Sequence, residues 1–294
     1  MESNKTPETT LEQFAKFAQE FANKKSAETQ LTWGYEIESN TMANVKANAE
    51  DMDIPAIVTI VDWQSDGSVS DESDYAGNEE CECECDECYH SCGCDNCDLN
   101  NGNQSLDHDC GSSDCYGGSS DCQEVASIGA ITYTHPESLN RLASWGLNDA
   151  TFNSDCGIHI HIGSAHLTAP QVANVMTAYR LAKPVLDQIA ERADIYYAMP
   201  HTPEQENATR SGERNHSKYQ AVNVANHFQT YRANTIEFRQ MAGTTQTDIP
   251  QTDRVRAWAE ILRQLVAYAT KPAPSLYWLS RATDLNDLLR LLKA

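Results

Sequence analysis

The stretch IHIHIGS, residues 158–164, decides how this chain is read. Successive side chains of a strand point to opposite faces, so His159 and His161 share one face and Ile158, Ile160 and Ile162 the other. An isoleucine row of this kind is buried against something. A histidine pair is unusual for a merely solvated face, and on its own leaves metal binding, anion binding and chance open.

Two other segments have the same design. In GYEIES (34–39), Glu36 and Glu38 oppose Tyr35 and Ile37; in TIEFRQ (235–240), Glu237 and Arg239 oppose Ile236 and Phe238. Alone, a Glu-x-Glu is most often a solvated strand face and a Glu-x-Arg a cross-strand ion pair. Together, on strands with apolar backs, they predict one sheet face carrying three carboxylates, two imidazoles and a guanidinium. Hard carboxylate oxygens suit Mg²⁺ or Mn²⁺, and Mn²⁺ also accepts imidazole. The planar fork of arginine suits a phosphoryl group. The combination points to phosphoryl transfer from a metal-bound nucleotide, where positioning and charge neutralisation supply most of the catalysis.

Around these strands the pattern alternates between helical and extended segments. Leu11, Phe14, Phe17, Ala18 and Phe21 recur at helical spacing over 9–24. Residues 56–63 and 123–128 read as strands, PESLNRLASWGL (136–147) as a helix. A long amphipathic helix opens at Thr168 and runs to about 192, with a kink expected at Pro184. KYQAVNVANH (218–227) and TIEFRQMA (235–242) read as a pair of strands joined by a short turn, and helices near 248–270 and 282–293 end the sequence. The expected class is α+β: a mostly antiparallel sheet with helices on one face.

The 294 residues suffice for one large domain with a substantial core. No apolar run approaches the length of a membrane span, and the polar start, MESNKTPETTLEQF, lacks the pattern of an export signal. The expectation is a cytoplasmic protein. The net charge of −22 is concentrated: 16 of the 43 acidic residues, and no Lys or Arg, fall between Gln64 and Cys122, leaving 27 acidic against 21 basic elsewhere. The balance argues against a nucleic-acid surface, which needs Lys and Arg, and no membrane partner is expected.

Ten of the eleven cysteines share that segment: Cys81, Cys83, Cys85, Cys88, Cys92, Cys94, Cys97, Cys110, Cys115 and Cys122. Cys85-x2-Cys88 and Cys94-x2-Cys97 have the spacing of zinc ligands, and ten thiols can supply two tetrahedral sites. Residues 64–122 hold too few aliphatic side chains for a core of their own, so order there calls for metal. Structural Zn²⁺ is expected, although not every thiol need be a ligand; an iron–sulfur cluster and a disordered or disulfide-linked segment are the alternatives. The eleventh cysteine, Cys156, reads as a packing residue.

In order along the chain, GYEIES, DGSV (66–69), EVAS (124–127), CGIHIHIG (156–163), ERADIYYAM (191–199), KYQAVN (218–223) and TIEFRQMAGT (235–244) resemble the amidoligase family. These phage and microbial members of the carboxylate–amine ligase superfamily share a catalytic fold with glutamine synthetase and glutamate–cysteine ligase. CGIHIHIG and TIEFRQMAGT are the specific parts, and the likeness covers roughly residues 31–270 around the cysteine-rich insert. It implies a glutamine synthetase-like domain over 31–294, an N-terminal helical extension over 1–30 and an insert over 64–122.

The resemblance also implies roles. Glu36, Glu38, Glu124, His159 and Glu237 would bind Mg²⁺ or Mn²⁺. His161 and Arg239 would be catalytic and meet the ATP phosphates, with Lys218 a further nucleotide contact; Arg192, Tyr219 and Asn223 match positions near the active site. The implied reaction is ATP-dependent amide or isopeptide bond formation between carboxylate and amine substrates (amino acid, peptide or protein) through an acyl phosphate, in the host cytoplasm if the gene is a phage's. Two alternatives stand beside it. One is a zinc-stabilised interaction module with an inactive ligase-like core. The other is a histidine-metal hydrolase, which gives Glu237-x-Arg239 no role.

Overall fold

The computed structural model describes residues 8–22, 31–39, 41, 44–49, 61–65, 123–127, 137–152, 156–190, 198–213, 219–228, 234–243 and 249–294, with 61–65 and 123–127 described by backbone alone. Mixed helices and one antiparallel sheet give an α+β architecture. Among the described residues, six strands make the sheet: β1 (Trp33–Ser39), β2 (Val61–Ser65), β3 (Gln123–Ser127), β4 (Gly157–Gly163), β5 (Val222–Asn223) and β6 (Thr235–Ala242), in the order β2-β3-β1-β4-β6-β5. Every neighbouring pair is antiparallel.

Period-2 alternation becomes a physical row when the strands pair. Val222 faces Phe238, Phe238 faces Ile160, and Ile160 faces Tyr35. All four are buried, and Ile37, Ile158, Ile162 and Ile236 extend the same apolar face. Burying side chains of this size contributes roughly 1.5–3 kcal/mol each, which holds the register: a slip of one residue would turn the glutamates and histidines into the core.

Helices cover that face. Among them, α1 (Thr10–Ala22), α3 (Glu137–Ser144), α4 (Ala169–Ala190) and α7 (Gln251–Ala269) place Phe14, Leu142, Met176, Tyr179, Trp258 and Leu262 in one core cluster with the strand residues. A reciprocal cap starts α1, with Glu12 Oε2 accepting from the Thr9 amide at 2.7 Å and Thr9 Oγ1 from the Glu12 amide at 3.2 Å. α4 runs unbroken through Pro184. Residues 44–49 form a short helix, α2; α5 (Pro203–Arg210) packs on α4, and α8 (Leu285–Lys293) on α1 and α7. No described helix is long and apolar enough to cross a membrane.

Two local features differ from the expectation. The strand read over 218–227 shrinks to β5, because Asn223 Oδ1 accepts the Ala225 amide at 3.0 Å and starts a helical turn, α6 (Ala225–Phe228). Between β4 and β6 the register also shifts: Ile160 faces Phe238 but Ile158 faces Met241. Arg239 and Gln240 therefore stand together opposite His159, a β-bulge of the kind that re-aims a side chain.

Candidate metal and phosphate site

The face opposite the isoleucines gathers the ionisable residues by strand register. Glu36 lies across from His159, and His161 across from Glu237, which in turn faces Asn223. Glu124 is the backbone partner of Glu38 across β1 and β3. Lys218, Arg192 and the ten cysteines from Cys81 to Cys122 lie outside the described residues.

Side chains then close the cluster. Glu36 bridges both imidazoles, with Oε2 3.0 Å from His159 Nδ1 and Oε1 2.9 Å from His161 Nε2. Glu237 Oε1 is 3.5 Å from His159 Nδ1 and accepts a hydrogen bond from Arg239 Nη1. Glu38 Oε1 is 3.6 Å from His159 Nε2, while its Oε2 accepts the Gly157 amide at 2.5 Å. The Thr235 hydroxyl sits 3.3 Å from His161 Nδ1.

Exposure shows where the cluster opens. Side-chain exposure is 3–5% for His159, Glu38 and Glu237, but 28% for Glu36 and about 15% for His161 and Arg239. A ligand therefore meets Glu36, His161 and Arg239 first, with the other three behind them.

The electrostatics follow from this packing. Burial works against the Glu36 carboxylate, but the hydrogen bonds from His159 and His161 outweigh it and hold the group far below the usual carboxylate range. Burial likewise opposes a charged His161, yet its bond to Glu36 pushes it up to about 9. His159 is raised too: burial lowers it, and the charge of Glu38 and the bond to Glu36 prevail.

Among the described residues, one set of donor atoms can hold a metal ion. Ligand atoms of Glu36, His161 and Glu237 all lie within 4.8 Å of one another. Carboxylate oxygens with one imidazole nitrogen suit a hard cation such as Mg²⁺ or Mn²⁺. His159 Nε2 is buried and makes no hydrogen bond among the described residues, as an atom awaiting a further ligand would be. It is the second histidine of the pair, His161, that joins the three-residue group; His159 stands among all three glutamates.

Three contacts to this cluster come from groups the alternation could not single out. Asn223 donates to Glu237, Thr235 meets His161, and the Gly157 amide meets Glu38. An Asn two residues before a helical turn signals a cap in sequence, but not what its amide reaches. Among protein-family models the chain matches none, and no curated protein matches it.

Proposed function

We propose that the chain is an ATP-dependent carboxylate–amine ligase with a glutamine synthetase-like fold. The observation that carries this reading is the convergence, on one sheet face, of Glu36, His161 and Glu237 within 4.8 Å, with Arg239 bonded to Glu237. A cation site and a guanidinium side by side are what transfer of a phosphoryl group requires.

In this reading a substrate carboxylate oxygen attacks the γ-phosphorus of ATP, and the bond to the ADP oxygen breaks. The amine nitrogen then attacks the acyl carbon; the carbon–oxygen bond to phosphate breaks, and the nitrogen loses a proton as the amide forms. Glu36, Glu38, His159, His161 and Glu237 would hold Mg²⁺ or Mn²⁺, and Glu124 joins them as a proposed ligand from the strand beside Glu38. When bound, such ions neutralise charge on the phosphate oxygens. Arg239, half-buried and oriented by Glu237, donates to the transferring phosphoryl group. His161, at the open edge, joins the cation only as a neutral imidazole; carrying its extra proton it would instead donate to phosphate, one role excluding the other. ATP contact by Lys218 and zinc binding by the cysteine-rich segment belong to the same proposal.

The test is phosphate release from ATP and Mg²⁺ or Mn²⁺ in the presence of pooled carboxylates and amines. Turnover stimulated by both pools supports the ligase. Its absence under every pairing would sink the ligase reading and leave the inactive-core alternative. Glu38→Ala, His159→Ala and Arg239→Ala are each expected to abolish turnover with the fold retained.

A further inference from the structure

Glu237 is clamped from two sides. Arg239 Nη1 holds its Oε1, and Asn223 Nδ2 donates to its Oε2 at 2.6 Å in a buried setting. Asn223 and Glu237 are direct cross-strand partners of β5 and β6. The amide of Asn223 cannot be turned the other way without loss, because its Oδ1 is occupied by the Ala225 amide at 3.0 Å. The backbone therefore decides which end of Asn223 meets Glu237: the NH₂ group.

We infer that Asn223 is a positioning residue for the metal site, acting through Glu237: its side-chain amide, oriented by the first turn of α6, fixes the Glu237 carboxylate so that Oε1 points to the cluster. The inference rests on the reading of Glu36, His161 and Glu237 as a cation site. A donor on the far oxygen does two things. It occupies Oε2, so that Oε1 is the oxygen left toward the cluster, and it removes the rotational freedom that the carboxylate would otherwise lose on binding a cation. Losing a hydrogen-bond partner behind a ligand commonly lowers metal affinity about 10–100-fold.

The experiment compares the full-length protein with Asn223→Ser by Mn²⁺ titration, read by electron paramagnetic resonance. Serine retains an oxygen that can accept the Ala225 amide, adds no charge, and is too short to reach Glu237. The expected result is at least a tenfold (~10–100-fold) weaker Mn²⁺ dissociation constant, with the melting temperature of the metal-free protein close to wild type. Asn223→Thr repeats the measurement should the serine variant melt early.

A second readout separates positioning from general structure. In a Glu237→Gln background, adding Asn223→Ser should weaken Mn²⁺ binding little further, since the two act as one unit. Wild type that binds Mn²⁺ with both Asn223 variants within twofold of it overturns the inference alone. Full additivity with Glu237→Gln overturns it as well. A wild type that binds no Mn²⁺ overturns the cation-site reading, and the inference with it.

Discussion

The Arg239 guanidinium is tied to Glu237 and raised above its ordinary range: burial opposes its charge, but Glu237, and further off Glu38 and Glu36, prevail. A lysine would keep the charge and lose the planar fork. Arg239→Lys is therefore expected to lower ATP turnover by about 10²-fold or more. In the proposed reading the lysine keeps a cation beside Glu237 Oε1 while Asn223 still holds Oε2, so Mn²⁺ affinity is expected to fall far less than turnover. Steady-state kcat and Mn²⁺ titration on the same preparation check both halves. At this scale the polar face was legible in the sequence, because period-2 alternation is local and IHIHIGS, GYEIES and TIEFRQ each display it. The division of labour between the histidines was not. His159 and His161 share a face in any register, and which nitrogen meets which carboxylate depends on how β4 lies against β1 and β6. The role of Asn223 was hidden for the same reason: its partner is 14 residues away in the chain and one strand away in space.

At the scale of elements, Ile160 shows how the sheet is held. It is fully buried between Tyr35 and Phe238 as strand partners, on the face packed by α4 and α7. Ile160→Ala is expected to destabilise the protein by about 2–5 kcal/mol, measured by urea unfolding, with the slope unchanged. The α4–α5 contact offers a pH-dependent counterpart. Glu206 on α5 accepts from Arg180 Nε at 2.5 Å and Thr177 Oγ1 at 2.7 Å, and lies 3.3 Å from His201 Nε2. Burial raises its carboxyl, but the bonds from His201, Arg180 and Thr177 bring it down to about 2. A carboxyl lowered on folding adds stability above its unfolded value near 4.5, and that stability is lost as pH falls toward 2. Glu206→Gln should flatten the melting temperature against pH between about 4.5 and 2; an unchanged slope there would contradict this. Long elements such as α4 and α7 were legible from helical spacing. The bulge left only a break in phase, with polar Gln240 and apolar Met241 standing where even alternation calls for the reverse; the partner strand is what shows that Arg239 and Gln240 share the place opposite His159. Gln240 is buried there and bonded to Tyr179 and Asp187 on α4, so the helix face and the polar face are joined at that irregularity.

Across the whole molecule, 16 of the 43 acidic residues and ten of the eleven cysteines fall in the stretch between β2 and β3. Zinc in protein purified without chelator, measured by metal analysis and lost when residues 66–122 are removed, is the expected outcome; absence of zinc would refute the assignment to that stretch. The sheet predicts how the removal can be made. Ser65 and Gln123 are antiparallel partners, the last pair of β2 and β3, so their Cα atoms are roughly 4.5–5.5 Å apart. An Asn-Gly turn can join them, and each halving of the loop relieves about 0.6 kcal/mol of closure entropy. The shortened chain should melt cooperatively and bind Mn²⁺ with the affinity expected of the full chain at the proposed Glu36–His161–Glu237 site. For anyone building on this scaffold, the pair is a socket. A guest domain whose own two ends lie side by side, a fluorescent reporter for instance, can be plugged in at Ser65 and Gln123, three and two strands away from the histidines, without asking the sheet to open.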